Sequence, residues 1–372
     1  MRYYIIAGER SGDLHGSNLA KALRRRDHEA EMRGFGGEYM QSAGVTLAVN
    51  YHEMALMGLV ELITKANKIK KFIRICKDDI EQFKPDVIIL IDYGGFNLQI
   101  ARYGKRRGFR IYYYIPPKYW AWYQNRVNWL KPYVDRLFLI LPFEKDFFRK
   151  FDWEGDYVGS PVLDAVKAHT ADLSFLTRHQ IPARPEYIAL LPGSRKQELR
   201  SILPLMKDVV RRFPQYHFLA SVVGSFHPDE YRALHGIDNV SLVVEDTYNL
   251  LQHSKAAIVT SGTATLETGL FRVPQVVVYK ANWISYLMAK LVLSVPFISL
   301  VNLIADKEVV KELLQWRANT EAVSSELRQL MEDDRYRKRM LDAYDDIIRI
   351  LDTGSASENA AELMLKYLGG DR

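Results

Sequence analysis

Cysteine is nearly absent. One residue, Cys76, stands among 372, which excludes an intramolecular disulfide framework and fits a reducing compartment. Its setting, KKFIRICKD, reads as a buried or half-buried helix position rather than a nucleophile. The nine histidines are scattered, with no H-x-x-x-H and no C-x-x-C spacing, so no metal-binding motif is offered. Long hydrophobic runs are missing too. No uncharged stretch reaches 18 residues, so no transmembrane helix is expected. The N-terminal MRYYIIAGERSGD has too short an apolar run for a signal peptide. There is no low-complexity segment and no short-period repeat.

What is present suffices for two globular units. A length of 372 residues suggests two domains, and 48% hydrophobic residues are ample for two cores. The net charge of +6 is lopsided. Residues 1–165 carry 26 Lys and Arg against 20 Asp and Glu, and the remainder carries 25 of each. Basic clusters lie at 24–26, 65–77 and 102–110. Such a surface suits an anionic partner, whether nucleic acid, an acidic membrane face or a phosphorylated substrate. Solvated helix faces are the competing reading.

Hydrophobic periodicity gives the organisation. Strands are expected at 3–7, 31–35, 45–49, 86–91, 110–114, 137–140 and 156–158, with a polar turn over 8–16 and a helix over 17–26. Residues 54–83 are helical in period with a break at Gly58. The run DVIILI at 86–91 has the look of a parallel strand covered on both faces. Residues 166–186, polar with two prolines, read as a linker with a short helix. The rhythm restarts with strands at 187–191, 217–222, 241–244, 256–259 and 275–279, and from about Lys307 the chain is nearly all helical. This predicts two α/β halves, 1–165 and 187–350, each on an open parallel sheet. A helix over 351–372 is a candidate to pack back on the first half.

Three turns at strand ends could carry chemistry. In AAIVTSGTATLETGL, residues 256–270, a strand delivers Ser261, Gly262 and Thr263 into a helix N-terminus, where unpaired N–H groups and the dipole favour an anion. Glu267, a turn further in, suits a sugar or ribose diol. In LLPGSRKQE, residues 190–198, Gly193 lets a ligand approach the backbone beside Ser194, and Arg195 can grip a pyrophosphate. Each alone matches an ordinary helix cap. Together, on one sheet edge, they read as a binding site. The first half has GERSGDLHG, with Glu9, Ser11, Gly12, Asp13 and His15 at a strand end. It lacks G-x-G-x-x-G, which argues against dinucleotide binding. Asp92 in IDYGGFN, ahead of Asn97, is a candidate general base, with a helix cap as the alternative. YIPPKYWAWYQNR, carrying Trp120 and Trp122, is a rigid aromatic lip for sugar, acyl chain or membrane, with core packing an equal competitor. The most apolar segment, 283–303, reads as core, or as an exposed acyl or membrane contact.

Seven motifs occur in order: AGERSGDLHG, IDYGGFN, YIPPKYWAW, LPFEK, LPGSR, SGTATLE and SLVNL. They span nearly the whole chain, which resembles the lipid-A-disaccharide synthases, inverting glycosyltransferases of the GT-B type with two Rossmann-like domains facing across a cleft. The resemblance implies transfer of 2,3-diacylglucosamine from its UDP derivative to the 6-hydroxyl of 2,3-diacylglucosamine 1-phosphate, at the cytoplasmic face of the inner membrane of Gram-negative bacteria. It implies no cofactor, no metal and no nucleic-acid partner, a peripheral contact with the anionic membrane, and leaves an oligomer open. The absence of D-x-D, with which many sugar transferases hold a metal, agrees with it. By carry-over Gly193, Ser194, Arg195, Ser261, Gly262, Thr263, Glu267 and Asn302 form the UDP site. Asp92, Glu9 and Asp13 are the catalytic candidates, with Ser11, Gly12, Asn97, Trp120 and Trp122 on the acceptor side.

Two departures concern the acceptor. Tyr93, Gly94 and Gly95 stand where the family often has Ala-Pro-Asp, and Pro116-Pro117 stands where it commonly has Ser-Pro. The alternatives are another GT-B-type enzyme such as a UDP-sugar 2-epimerase, which forms no disaccharide, and a non-catalytic two-lobed binding protein, which turns nothing over.

Overall fold

The computed structural model describes residues 1–55, 62–280 and 295–370. They form two compact units, Met1–Pro161 with Thr353–Arg372, and Val162–Asp352. The first is built on seven strands: β1 (Arg2–Ala7), β2 (Glu31–Gly36), β3 (Thr46–Asn50), β4 (Val87–Ile91), β5 (Arg110–Tyr114), β6 (Arg136–Leu139) and β7 (Asp156–Tyr157). Their spatial order is β3-β2-β1-β4-β5-β6-β7, all parallel. All five residues of β4, VIILI, are buried. Burying each such side chain contributes roughly 1.5–3 kcal/mol, so a charge at Ile89 would break the sheet's centre.

The chain runs outward from β1 to β3, then returns to lay β4 on the other side of β1. Tyr3 to Ala7 pair with Val87 to Ile91. A reversal of this kind leaves a crevice beyond the carboxyl ends of the two strands. The helix that follows β1 spans Arg10–Arg26, so the turn is only Gly8 and Glu9 rather than 8–16. Glycines are poor helix formers, and packing overrides that here. A Cβ on Gly12 would lie 3.3 Å from the Ala7 Cβ, and one on Gly16 would lie 2.6 Å from the Met40 sulfur.

The second unit repeats the plan with β8 (Tyr187–Leu191), β9 (His217–Val222), β10 (Val240–Val244), β11 (Ser254–Thr260), β12 (Gln275–Tyr279) and β13 (Lys311–Leu314). Their order is β10-β9-β8-β11-β12-β13, again all parallel. Its reversal lies between β8 and β11. β13 falls where the sequence reads as helix. KELL carries no strand signal, and pairing of Val276 with Lys311 and Tyr279 with Leu314 makes it an edge strand.

Residues 166–186 hold the short helix Phe175–Arg178, and Phe175 and Ile181 lie in the second unit's core with Tyr187 and Leu219. The terminal helix Ala356–Gly369 belongs to the first unit and buries Ala360, Ala361, Met364 and Leu368 in its core. Glu358 pairs with Arg25 and Arg26, and Tyr367 donates to Asp156 at 2.9 Å. The expected break at Gly58 and residues 283–294 of the apolar segment lie outside the described residues. The rest of that segment includes buried Leu300 and Val301. Among the described residues no helix is long and apolar enough to cross a membrane.

Candidate active site

In the first unit the β1 and β4 ends bring Glu9 and Asp92 to one edge. Gly8 is required there: a Cβ on it would come within 2.4 Å of the Tyr93 ring. Glu9 occupies the cap position of the helix Arg10–Arg26 without a side-chain cap bond, and is exposed, as is Ser11. Burial raises the Tyr93 hydroxyl, and the Glu9 charge adds to the rise. Burial lowers His15 to about 4, which holds it neutral.

Asp13, a catalytic candidate from the sequence, is placed in a structural role. It is fully buried, and its carboxylate accepts from the backbone N–H groups of Gly37 at 2.7 Å, Tyr39 at 3.0 Å and Met40 at 3.0 Å. It holds the N-terminal end of the short helix Glu38–Ser42.

Asp92 is placed differently. It and Tyr93 both take left-handed backbone, with φ of 45° and 49°. Such conformations cost about 1–3 kcal/mol each and persist only where the surroundings impose them. Here the clamp is visible. The Asp92 carbonyl accepts from Tyr113 Oη at 2.6 Å and Asn97 Nδ2 at 2.7 Å, and its N–H donates to the Ile115 carbonyl at 3.1 Å. The side chain is half-buried. Burial raises its acid above the usual 3.8, while the Lys118 charge and the Tyr93 N–H pull the other way. The cap position of the next helix belongs to Tyr93, so Asp92 is not that helix's cap.

Asn97 and Trp120, acceptor-side candidates from the sequence, both have bonds within the frame. Asn97 is fully buried and also reaches the Ile91 carbonyl at 3.2 Å, so it braces the Asp92 turn. Trp120 is buried and donates from Nε1 to Glu144 at 3.1 Å. The other Glu144 oxygen accepts from the N–H groups of Ile140 at 3.1 Å and Leu141 at 3.0 Å. The two motifs YIPPKYWAW and LPFEK are thus one clasp, a role for Glu144 that sequence reasoning missed. Burial pushes the Glu144 acid up to about 7 against those hydrogen bonds. Trp122 is exposed, as are Tyr123 and Trp129, and the Arg126 guanidinium lies over the last two rings.

In the second unit Leu191 and Val259 are paired, so the turns after β8 and β11 are neighbours. One holds Gly193, Ser194 and Arg195; the other holds Ser261, Gly262 and Thr263. Gly193 has φ of 105°, which favours glycine, and a Cβ there would fall 2.4 Å from a Glu198 oxygen. The anion donors exist but are already engaged. Glu198 Oε2 accepts from the N–H groups of Ser194 at 3.0 Å and Arg195 at 3.2 Å. Its Oε1 accepts from Arg195 Nη1 at 2.9 Å. Glu198 therefore shows where an anion fits. Its place three residues after Arg195, the spacing of a capping box, was the signal for it. The Arg195 side chain remains 81% exposed.

Ser261 is half-buried and donates to the Ile298 carbonyl at 2.9 Å, while Gly262 and Thr263 are exposed at the start of the helix Thr263–Leu270. Glu267 lies one turn in. Tyr248 donates to it at 3.2 Å, and burial raises its acid against that bond. Asn302, named from the resemblance for the donor site, is engaged within the protein. Fully buried, it donates to the Val310 carbonyl and Glu312, both at 2.9 Å, and accepts from the N–H groups of Val309 at 2.8 Å and Val310 at 2.9 Å. Glu312 also accepts from the Ile298 and Ser299 N–H groups, each at 3.0 Å. The SLVNL motif is a structural tie that sets the strand of backbone contacting Ser261.

Comparison with known proteins agrees with this geometry. Solved structures with the same architecture include a UDP-GlcNAc 2-epimerase from Neisseria meningitidis bound to UDP-GlcNAc, at TM-score 0.71 and 12% identity over 99% of both chains. The calicheamicin glycosyltransferase CalG4 follows at TM-score 0.58 and 14% identity, covering 100% of this chain and 98% of that one. Two parallel-sheet α/β units with these neighbours define a GT-B-type fold. A family model described as Lipid-A-disaccharide synthetase matches residues 3–366. Relatives named lipid-A-disaccharide synthase include that of Syntrophus aciditrophicus, 36% identical over 98% of this chain and 97% of its own. That of Myxococcus xanthus is 35% identical over 99% and 97%. The chain belongs to the lipid-A-disaccharide synthetase family and is a glycosyltransferase of lipid A biosynthesis.

Proposed function

We propose that the chain transfers 2,3-diacylglucosamine from its UDP derivative to the 6-hydroxyl of 2,3-diacylglucosamine 1-phosphate, forming a β-1,6 disaccharide 1-phosphate and UDP. The observation that carries this reading is the division of chemistry between the two strand reversals. The second unit offers an anion cradle, marked by Glu198 on the Ser194 and Arg195 N–H groups. The first offers a pinned, half-buried carboxylate, Asp92.

In this reading the donor diphosphate takes over the cradle and the Arg195 guanidinium as Glu198 withdraws, and Ser261, Gly262 and Thr263 line the adjoining turn. Glu267, its carboxylate oriented by Tyr248, receives the ribose hydroxyls. Asp92 takes the proton from the acceptor O6 as the O6–C1 bond forms. The bond from C1 to the UDP oxygen breaks on the opposite face, and UDP leaves with the electron pair, its charge met by Arg195. Glu9 is the rival base. An epimerase reading draws on the structural neighbours, but identities of 12% in those comparisons speak for the fold alone. Incubating the purified chain with both glucosamine lipids and identifying products by mass spectrometry tests the proposal. A disaccharide that requires both substrates supports it; conversion of the UDP-sugar alone rejects it.

The reading extends to a peripheral place on the cytoplasmic face of the inner membrane. Exposed Trp122, Tyr123 and Trp129, with exposed Lys68, Lys70, Lys71 and Arg74, support it. Co-sedimentation with anionic liposomes should occur at low salt and fade as salt rises, because the attraction is screened. No binding at low salt would reduce these clusters to solvated faces.

A further inference from the structure

One cation beside the Asp92 turn is left without a task. Lys118 follows Pro116 and Pro117 in the turn after β5, and its side chain is exposed. Its carbonyl accepts from the Ala121 N–H at 3.1 Å, and no hydrogen bond or ion pair engages its ammonium among the described residues. Its turn is fixed to that of Asp92. The Ile115 carbonyl accepts from the Asp92 N–H at 3.1 Å, and a Cβ on Gly94 would come within 2.9 Å of the Pro117 ring. Two consecutive prolines, each with fixed φ, stiffen the approach. Next to burial, which raises the acids of both Asp92 and Glu144, the Lys118 charge is felt by each and pulls each down. Glu144 already serves Trp120 and two backbone N–H groups. Nearby Arg126 is stacked on Tyr123 and Trp129. Lys118 is therefore a cation open to a ligand at the Asp92 end.

The chemistry of a 1-phosphorylated hexosamine meets this arrangement. In a pyranose, C1 and C5 flank the ring oxygen, so the 1-phosphate and the C6 hydroxyl lie along one edge of the sugar. A carboxylate that takes the O6 proton must then tolerate a phosphate close by. Two anions so placed repel unless a cation lies with them. Lys118 supplies a compact charge of the kind that binds phosphate without needing two-point geometry.

We infer that Lys118 binds the phosphate of the acceptor sugar and so sets the preference for a phosphorylated acceptor. This rests on the reading under Proposed function. The test is calorimetric binding of 2,3-diacylglucosamine 1-phosphate and of its dephosphorylated counterpart to the full chain in neutral detergent micelles, without donor. The wild type should bind the phosphorylated lipid more tightly. Lys118→Ala should lose that preference, about tenfold to a hundredfold, the scale of a hydrogen bond to a charged group, and Lys118→Arg should keep most of it. Affinity for UDP, and for phosphatidylglycerol vesicles, should not change in either variant.

Equal wild-type affinity for the two lipids overturns the inference, as does an equal loss on both in Lys118→Ala. A fall in UDP affinity would move Lys118 to the donor, and a fall in vesicle binding would move it to lipid head groups; either overturns it. Turnover measured on the same samples separates the failures. If the wild type forms disaccharide but Lys118→Ala shows no phosphate-selective loss, the inference fails alone. If the wild type forms none with either acceptor, the reading fails and takes the inference with it.

Discussion

Replacing Asp92 with asparagine separates the chemistry from the fold. The residue sits at φ 45°, and asparagine is as much at home in left-handed backbone as aspartate. The contacts that hold the turn, to Ile115, Asn97 and Tyr113, are made by the Asp92 backbone and survive the change. Stability should move by less than about 1 kcal/mol, the range of changes that break no named interaction. Basicity, in contrast, is lost outright. The expected fall in kcat is ~10²–10⁴-fold, or roughly 3–5 kcal/mol of barrier at 1.36 kcal/mol per decade. UDP affinity should hold, since its proposed contacts lie in the second unit. Asp92→Ala is the contrasting variant: it should lose the same activity and also about 1 kcal/mol of stability, because alanine fits a positive φ poorly.

The pH profile carries an independent signature of Asp92. Its folded-state acid lies above 3.8, and the working form is the ionised one. The rate should therefore rise with pH through that raised value and then level, and Asp92→Asn should lack this acidic limb. The effect on stability has the opposite sign: a raised acid contributes below the unfolded value and loses its contribution as pH rises through the folded one. The assay is UDP release at saturating substrates, with thermal unfolding on the same preparations. Turnover of Asp92→Asn within about threefold of wild type, against the range above, would refute the assignment. Loss in Glu9→Gln alone would then move the base to Glu9.

Arg195→Ala should lower kcat/KM by roughly two to three orders of magnitude, the scale for removing a stabiliser of developing charge; unchanged kinetics in a folded variant would remove Arg195 from the site. Asn302→Ala strips four hydrogen bonds from a fully buried position, so chemical denaturation should show a loss of roughly 2–4 kcal/mol; an unchanged midpoint with weakened UDP binding would place Asn302 in the donor site. Glu144 has its folded acid at about 7, above the ordinary 4.5. Its contribution is full below pH 4.5 and gone once pH passes about 7, which makes up to roughly 3 kcal/mol by linkage. Denaturation at pH 5 and pH 8 should show that difference shrink in Glu144→Gln, and equal pH dependence in both proteins would contradict it.

The sheets were legible because buried parallel strands are continuous apolar runs, and VIILI at β4 or YIALL at β8 can hardly be anything else. KELL at β13 was not, since an edge strand carrying Lys311 and Glu312 owes its state to β12 and not to its own pattern. The helix from Arg10 was read too short because its glycines are set by the surfaces they touch. In the site, strand-end positions were readable and side-chain duties were not. The structural bonds of Asp13 could not be read, because its N–H partners lie 24 to 27 residues away. The partners of Asn302 and Trp120 were equally hidden: Glu312 lies 10 residues on and Glu144 lies 24 residues on. Glu198 was the opposite case, a local capping-box spacing whose consequence for the anion cradle emerges only in three dimensions.

The central claim is glycosyl transfer between two glucosamine lipids, and the anomeric proton of the product tests it most directly. The purified chain, given UDP-2,3-diacylglucosamine and 2,3-diacylglucosamine 1-phosphate, should release UDP only when both are present, one per disaccharide formed. The NMR coupling at the new C1 should be that of a β linkage, with the bond at O6 of the acceptor. UDP release without acceptor, a 2-epimer as product, or an α linkage would contradict the account.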